Sequence, residues 1–431
     1  MNEALLQFIW HQQYFNQHEL QTTLGEPIRI LHPGEWNQHQ GPDFTNAKIQ
    51  IGSTIWAGQV EIHCNASDWQ KHGHFDDPHY ANVILHVVIT NDFPVLNQNG
   101  IPFPTLELAN RIPFSLLNRF QQLMDTREPL VCRNFLPVLT TTQWLNWKSY
   151  LLQQRLQRKS QRLLQWHAES GGDWNVVLWQ LIFEYMGGKV NGSYFQMLAN
   201  SIPLSILLKK QLSAIEWEAI LLGQANLLPV TATEAYHRKL LKEYHYLQYK
   251  YQLVPLNRPP AFLRMRPASF PTIRLAQLAG LLLNNPQLFS GMVASVSLHQ
   301  WKQQCMVSAT EFWDAHYLFN RTSQAKQKTM GIQMIYSLAI NAILPTLYAY
   351  GYYIGNRELM NKALHLFKEI PVEKNRITAL WEATGITQTQ ALDSQALTEL
   401  TNRYCTQKNC LQCAVGKEVV KVNLLPDKLQ V

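Results

Sequence analysis

Apolar positions follow two different periods along this chain. Up to about residue 110 they fall in short runs. "MNEALLQFIWHQQYFNQHEL" has the spacing of an amphipathic first helix. "EPIRILHPGEW" is a short alternating run ended by Pro-Gly. In "DFTNAKIQIG", Phe44, Ala47, Ile49 and Ile51 give an imperfect two-residue period, and a Gly-Ser turn leads into "TIWAGQVEIHC". A short helical or looped piece, "SDWQKHGHFDDPHY", precedes "NVILHVVIT", whose nearly continuous apolar character predicts a strand covered on both faces. The order is helix, three strands, helix, strand. A meander of three strands with a crossover to the fourth predicts a mixed sheet with helices packed on it.

Beyond residue 135 the period becomes helical. "TTTQWLNWKSYLLQQRLQRKSQRLLQWHAE" opens with threonine caps, and "DWNVVLWQLIFEYMGG", "SAIEWEAILLGQANLLP", "EAYHRKLLKEYHYLQYKYQL", "TIRLAQLAGLLLNN" and "MIYSLAINAILPTLYAYGYYI" follow. Gly or Pro punctuates most of them, and no fixed repeat is present. The expected division is an α/β domain over 1–135 and a larger all-α domain over 136–431, with the boundary in "REPLVCRNFLPVLTTT".

Composition sharpens this division. The 431 residues are too many for one ordinary core. Residues 1–135 hold 7 Lys+Arg against 13 Asp+Glu and nine of the 15 histidines, whereas the remainder holds 30 against 17. An acidic, His-rich part joined to a basic one suggests a metal or proton site beside a surface for an anionic partner, although compositional drift between domains gives the same balance. No window of about 18 consecutive apolar residues suggests a membrane span. The N-terminus has no basic start or small-residue cleavage site, so a cytoplasmic protein is expected. No G-x4-GK[ST] is present, which argues against an ATP-driven motor in this chain.

The chemistry concentrates around "GPDFTNAKIQIGSTIWAGQVEIHC". Alternation places Glu61 and His63 on one strand face, with Val60 and Ile62 on the other. A hairpin turning near Gly52-Ser53 brings Asp43 alongside Glu61. Two converging carboxylates repel unless a cation or a shared proton lies between them, and hard oxygen ligands suit Mg²⁺ or Mn²⁺. Nearby, Asp68 and His72 fall at i,i+4, and His74 follows a glycine able to end that turn. They are possible supporting groups or a capped, solvated helix. Glu35 could approach from the first strand. His86, inside the fourth strand, reads as a core histidine.

Pro42-Asp43 … Glu61-Ile62-His63 resembles the PD-(D/E)xK signature of restriction-endonuclease-like nucleases, whose core has the same αβββαβ order. The resemblance implies that Asp43 and Glu61 bind a divalent ion and that the third position handles water. That position is normally lysine and here is His63, a possible base or ligand; Lys48 and Lys71 are potential substitutes. More of the chain, including "WAGQVEIH" and "YCTQKNCLQCAVG", resembles an uncharacterised bacterial family, domain of unknown function 2851, which implies no established activity.

Two further features complete the reading. Cys405, Cys410 and Cys413 have C-x4-C-x2-C spacing, which with Cys132 as a fourth ligand fits a structural zinc site or an iron–sulfur cluster; Cys64 and Cys305 are weaker fourth ligands, and three free thiols are the plain alternative. Arg155, Arg158, Lys159 and Arg162 form one helical stripe, and Arg264, Arg266 and Arg274 a second basic group; each is a candidate nucleic-acid contact or a solvated face. The expected function is metal-dependent phosphodiester hydrolysis of nucleic acid. The alternatives are a nucleic-acid-binding module without turnover and a structural or scaffolding protein.

Overall fold

A computed structural model describes residues 2–421 except 38, 97–99, 208–211, 232–233 and 295–296, with the side chains of 204 and 207 also undescribed. The chain forms two compact units. One comprises Met1–Trp144 with Leu400–Val431, the other Leu145–Glu399. The division therefore falls just after the expected boundary segment. It also differs from the expected 1–135 and 136–431 split in one larger respect: the cysteine-bearing C-terminal segment belongs with the N-terminal unit.

In the first unit, helix α1 (Glu3–Gln12) is capped by Asn2, whose side chain accepts the Leu5 N–H. Strands β1 (Ile28–His32), β2 (Glu35–Trp36), β3 (Phe44–Ile51) and β4 (Thr54–Asn65) follow. Helix α2 (Asp68–Lys71) and a 3₁₀ turn at Pro78–Tyr80 lead to β5 (Val83–Thr90), β6 (Thr105–Glu107) and helix α3 (Phe114–Asp125). The strand order is β1-β3-β4-β5-β6, with β2 paired to β3. β1–β3 and β3–β4 are antiparallel, and β4–β5 and β5–β6 are parallel. The mixed sheet, the meander and the crossover match the expectation; β2 and β6 were not foreseen.

The β3–β4 hairpin turns through Gly52-Ser53, directly after the pair Ile51↔Thr54. Gly52 has φ +60°, which suits a two-residue hairpin loop with positive φ at its first position. Its register sets every residue that follows on β4, because a one-residue slip would exchange the two faces. On β4 the apolar Val60 and Ile62 and the polar Glu61 and His63, which alternation places on opposite faces, are all buried, so the polar face is covered as well. Strand β5 is buried from Val83 to Val88, as its unbroken apolar run requires.

The second unit is mostly helical. Its helices include Trp174–Asn200, Ala214–Gln224, Ala235–Tyr251 and Pro271–Asn284, each covering a segment with the helical period. The all-α expectation needs one correction: His316–Leu318 and Arg321–Thr322 pair as a short antiparallel ribbon. One helical run among the described residues, Ile332–Tyr353, is long and apolar enough to cross a membrane by length and composition, but 67% of its apolar 18-residue window is buried, as in a core helix. A π-turn at Ala339–Ile343 ends two residues before Pro345, which has no N–H to continue the ladder.

Gly58 fixes the close approach of β4 to the start of β5. A Cβ there would lie 2.5 Å from Ile84 Cγ2 and 2.6 Å from the Asn82 carbonyl oxygen. Gly58→Ala must displace backbone as well as side chain. It is expected to destabilise the protein by about 1–3 kcal/mol, measured as a lowered denaturation midpoint of the first unit.

Candidate metal centre

The pair Phe44↔Val60 is the last of the β3–β4 register on that side, so Asp43 lies one step further, opposite Glu61. The bonds are reciprocal. The Asp43 N–H donates to Glu61 Oε2 at 3.0 Å, and the Ile62 N–H donates to Asp43 Oδ2 at 3.1 Å. Gln7 of α1 donates its Nε2–H to Asp43 Oδ1 at 2.7 Å. Both oxygens of Asp43 are therefore held by donors of the chain. Burial, followed by the charge of Glu61, raises the Asp43 carboxyl to about 8.

The free side of Glu61 faces histidines. Its Oε1 lies 3.6 Å from His63 Nε2 and 3.4 Å from His74 Nε2. His63 Nε2 is also 3.1 Å from His72 Nδ1, while His63 Nδ1 is 2.9 Å from His86 Nε2. His63 and His86 are 1% and 0% exposed. Burial, reinforced by neighbouring imidazoles, lowers both to about 3, so they are neutral at neutral pH. With the His63 Nδ1–H given to His86, Nε2 presents a lone pair to the cluster, the form a metal-binding imidazole needs.

The position of His74 has a local cause. Helix α2 ends at Gly73, φ +74°. The Gly73 N–H bonds the Gln70 carbonyl and the His74 N–H bonds the Trp69 carbonyl. This is a Schellman arrangement, and it turns His74 back over Trp69, ring centroids 5.5 Å apart. Among the described residues, the donor atoms of His63, His72 and His74 lie within 4.8 Å of one another. Metal–nitrogen bonds of ~2.0–2.1 Å in a tetrahedral shell place neighbouring donors about 3.3 Å apart. The separations of 3.1–3.6 Å around His63 and Glu61 are close to that value. His74 Nε2 is buried without an aligned hydrogen bond, which leaves it available.

Four residues of the site were missed by sequence reasoning. Gln7 holds Asp43. Glu3 Oε1 lies 3.9 Å from His63 Nε2. Tyr80 stacks on His74 with centroids 3.8 Å apart, and burial with the charges of Glu61 and Asp43 raises its phenol to about 12. His86, read as a core group, instead orients His63. The one available signal was Glu3 and Gln7 at i,i+4, set among the apolar Leu5, Leu6, Phe8, Ile9 and Trp10 of α1.

Other expected site residues lie elsewhere in their interactions. Glu35 on β2 is exposed and accepts a bond from Asn46. Asp68 accepts the Asn65 N–H at 3.0 Å and the Lys71 ammonium at 2.6 Å, so both its oxygens are engaged locally. Lys48 is exposed on β3.

The expected basic stripe is engaged within the helical unit. Arg155 and Arg158 bond Glu399, which is 5% exposed, at 3.2 and 2.6 Å. Arg162 pairs with Glu184 and lies over Trp166. Lys159 bonds Asn341, and burial with the neighbouring Arg155 charge lowers its amine to about 7. Arg274 is half-buried, on Gln277 and Ser269. Arg264 and Arg266 are exposed.

Asp43 generates a pH dependence. Its folded value, about 8, lies above the ordinary 3.8, so the metal-free native state holds a proton that the unfolded chain has lost. Stability from this group is complete below the ordinary value and falls as pH rises towards 8. Denaturation of metal-free protein across that range is expected to show the fall, and Asp43→Asn to flatten it.

Comparison with known families gives one match: a family model described as a protein of unknown function, DUF2851, aligns with residues 3–376. Neither the curated proteins nor the solved structures give a match. The alignment spans every residue of the histidine–carboxylate cluster and stops before Cys405, and the chain belongs to the DUF2851 family.

Proposed function

We propose that the first unit is a metal-dependent phosphodiesterase acting on nucleic acid. The observation that carries this reading is the meeting of Asp43 and Glu61 at the end of the β3–β4 hairpin, with the imidazoles of His63 and His74 against the free oxygen of Glu61 and that of His72 beside His63. The order of α1, the antiparallel β1-β3-β4 set, α2 and the parallel β5 supports the likeness to the PD-(D/E)xK core.

Glu61, His63, His72 and His74 would hold the ion, and Asp43 would fix Glu61 through its backbone N–H. A divalent ion there supplies polarisation of a phosphoryl oxygen and a more acidic bound water. His63 acts as a ligand rather than a base, because a group lowered to about 3 is a weak proton acceptor at neutral pH. Imidazole donors favour Mn²⁺ or Zn²⁺ over Mg²⁺, which prefers oxygen. Of the basic residues considered for backbone contact, Arg264 and Arg266 are exposed and the stripe residues are held by their own unit.

One observation favours a second reading, a nucleic-acid-binding module without turnover. The lysine position of the motif is His63, Lys71 is held by Asp68, and Lys48 points from the exposed part of β3.

Cleavage of labelled DNA and RNA with Mn²⁺, Mg²⁺ or Zn²⁺ tests both. Wild type is expected to cut, Glu61→Ala to lose activity, and Asp43→Ala to fall about 10–100-fold, the usual cost of removing a group that orients a ligand. Salt-sensitive binding without cleavage supports the module. Absence of both binding and cleavage rejects both readings. Calorimetric titration is expected to rank Mn²⁺ or Zn²⁺ above Mg²⁺, with His74→Ala weakening the tighter ion.

A further inference from the structure

Four of the six cysteines meet in the first unit, although one lies far from the other three in sequence. Cys132 immediately precedes the 3₁₀ turn Arg133–Phe135. Cys405 ends a π-turn, Thr401–Cys405, Cys410 opens a 3₁₀ turn, and Cys413 directly precedes the helix Ala414–Lys421. All four are 4–6% exposed and none forms a disulfide. They are electrostatic neighbours: after burial, what raises the Cys132 thiol is Cys413 and Cys410, and what raises Cys405 is Cys413, Cys132 and Cys410.

Burial raises all four thiols, and nearby donors and cations act against that rise at Cys410 and Cys413. The backbone N–H groups of Gly416 and Val415, at the start of an eight-residue helix, lower the Cys413 thiol against the burial that raises it. A neutral thiol is a weak acceptor, whereas a thiolate is stabilised by such donors and by nearby cations. Lys408 is a charge neighbour of Cys410, and Lys417 of Cys413. The turn is held close to the helix: a Cβ on Gly416 would lie 2.2 Å from the Cys410 carbonyl oxygen.

Distance separates the two metals that thiolates would gather here. A single zinc with Zn–S bonds of ~2.3 Å draws its sulfurs to about 3.8 Å from one another. Among the described residues, three donor atoms within 4.8 Å of one another occur at His63, His72 and His74, and no three of these thiols meet that limit. A larger centre fits the wider spacing. The C-x4-C-x2-C run with one remote cysteine is also the plant-type ferredoxin ligand spacing, although here the remote cysteine precedes the run.

We propose that Cys132, Cys405, Cys410 and Cys413 ligate an iron–sulfur cluster that fastens the C-terminal segment to the first unit. The proposal is independent of the phosphodiesterase reading. The full chain should be purified without oxygen and assayed for iron, acid-labile sulfide, zinc and visible absorbance. Wild type is expected to carry iron and sulfide with a broad visible band. Cys410→Ser and Cys413→Ser are expected to lose at least about tenfold of the iron, and Cys64→Ser to retain it. Circular dichroism identifies variants that fail to fold, and the wild-type analysis stands without them. Three results overturn the proposal: stoichiometric zinc without sulfide, wild type that stays free of iron after anaerobic reconstitution with ferrous iron and sulfide, or equal iron loss in Cys64→Ser.

Discussion

Two carboxylates at one covered strand end constrain the first unit more than any other contact. The β3–β4 register puts Asp43 opposite Glu61, and the hairpin cannot shift by one residue without driving Val60 and Ile62 into the place of Glu61 and His63 and the two polar groups into theirs. Like charges about 4 Å apart at an effective dielectric near 20 repel by about 4 kcal/mol. A hydrogen bond contributes about 1 kcal/mol net. The bonds from Gln7 and Ile62 to Asp43 therefore do not sustain two ionised acids by themselves. Either a proton stays on Asp43, as its raised value indicates, or a cation neutralises the pair. The imidazoles against Glu61 provide donors for the second solution.

The parts of this arrangement visible in the sequence are those set by local periodicity. Alternation along Val60-Glu61-Ile62-His63 separates the two faces, and Gly52-Ser53 marks the turn that brings Asp43 back. Gly73 marks the end of α2, so the reversal that carries His74 was also readable. What alternation does not reveal is which faces are covered. The burial of the Glu61–His63 face comes from Trp69, Tyr80 and their neighbours, brought there by the parallel crossover to β5. Glu3, Gln7 and His86 enter the site through tertiary packing, which has no sequence period.

The basic stripe shows the opposite case. Arg155, Arg158 and Arg162 do share one helical face, as their spacing requires, but spacing does not show what that face meets. Glu399, distant in sequence, is buried against it and accepts from two of the arginines. A charge balance summed over a domain counts such residues as free positive surface, whereas the structure pairs them. The domain division is affected by the same long-range packing: the cysteine segment follows the helical part in sequence but joins the first unit in space.

Buried acids in the two units show what separates a structural polar group from a functional one. Glu218 in the helical unit is fully buried, and its oxygens receive Trp313 Nε1 at 2.8 Å, the Tyr236 hydroxyl at 3.0 Å and the Thr310 N–H at 3.4 Å. Every donor there is neutral and comes from the chain, so the site is complete without a ligand. Glu61 instead has one oxygen on a backbone N–H and the other directed at two imidazoles, while His74 Nε2 and His86 Nδ1 lack hydrogen-bond partners. Burying that many polar atoms around an incomplete set of bonds destabilises a fold that gains nothing else from them. Unpaired buried atoms occur in the helical unit too, at His237 for example, but His74 Nε2 belongs to three imidazoles with metal-ligand spacing, and that coincidence sets the cluster apart from the closed set around Glu218.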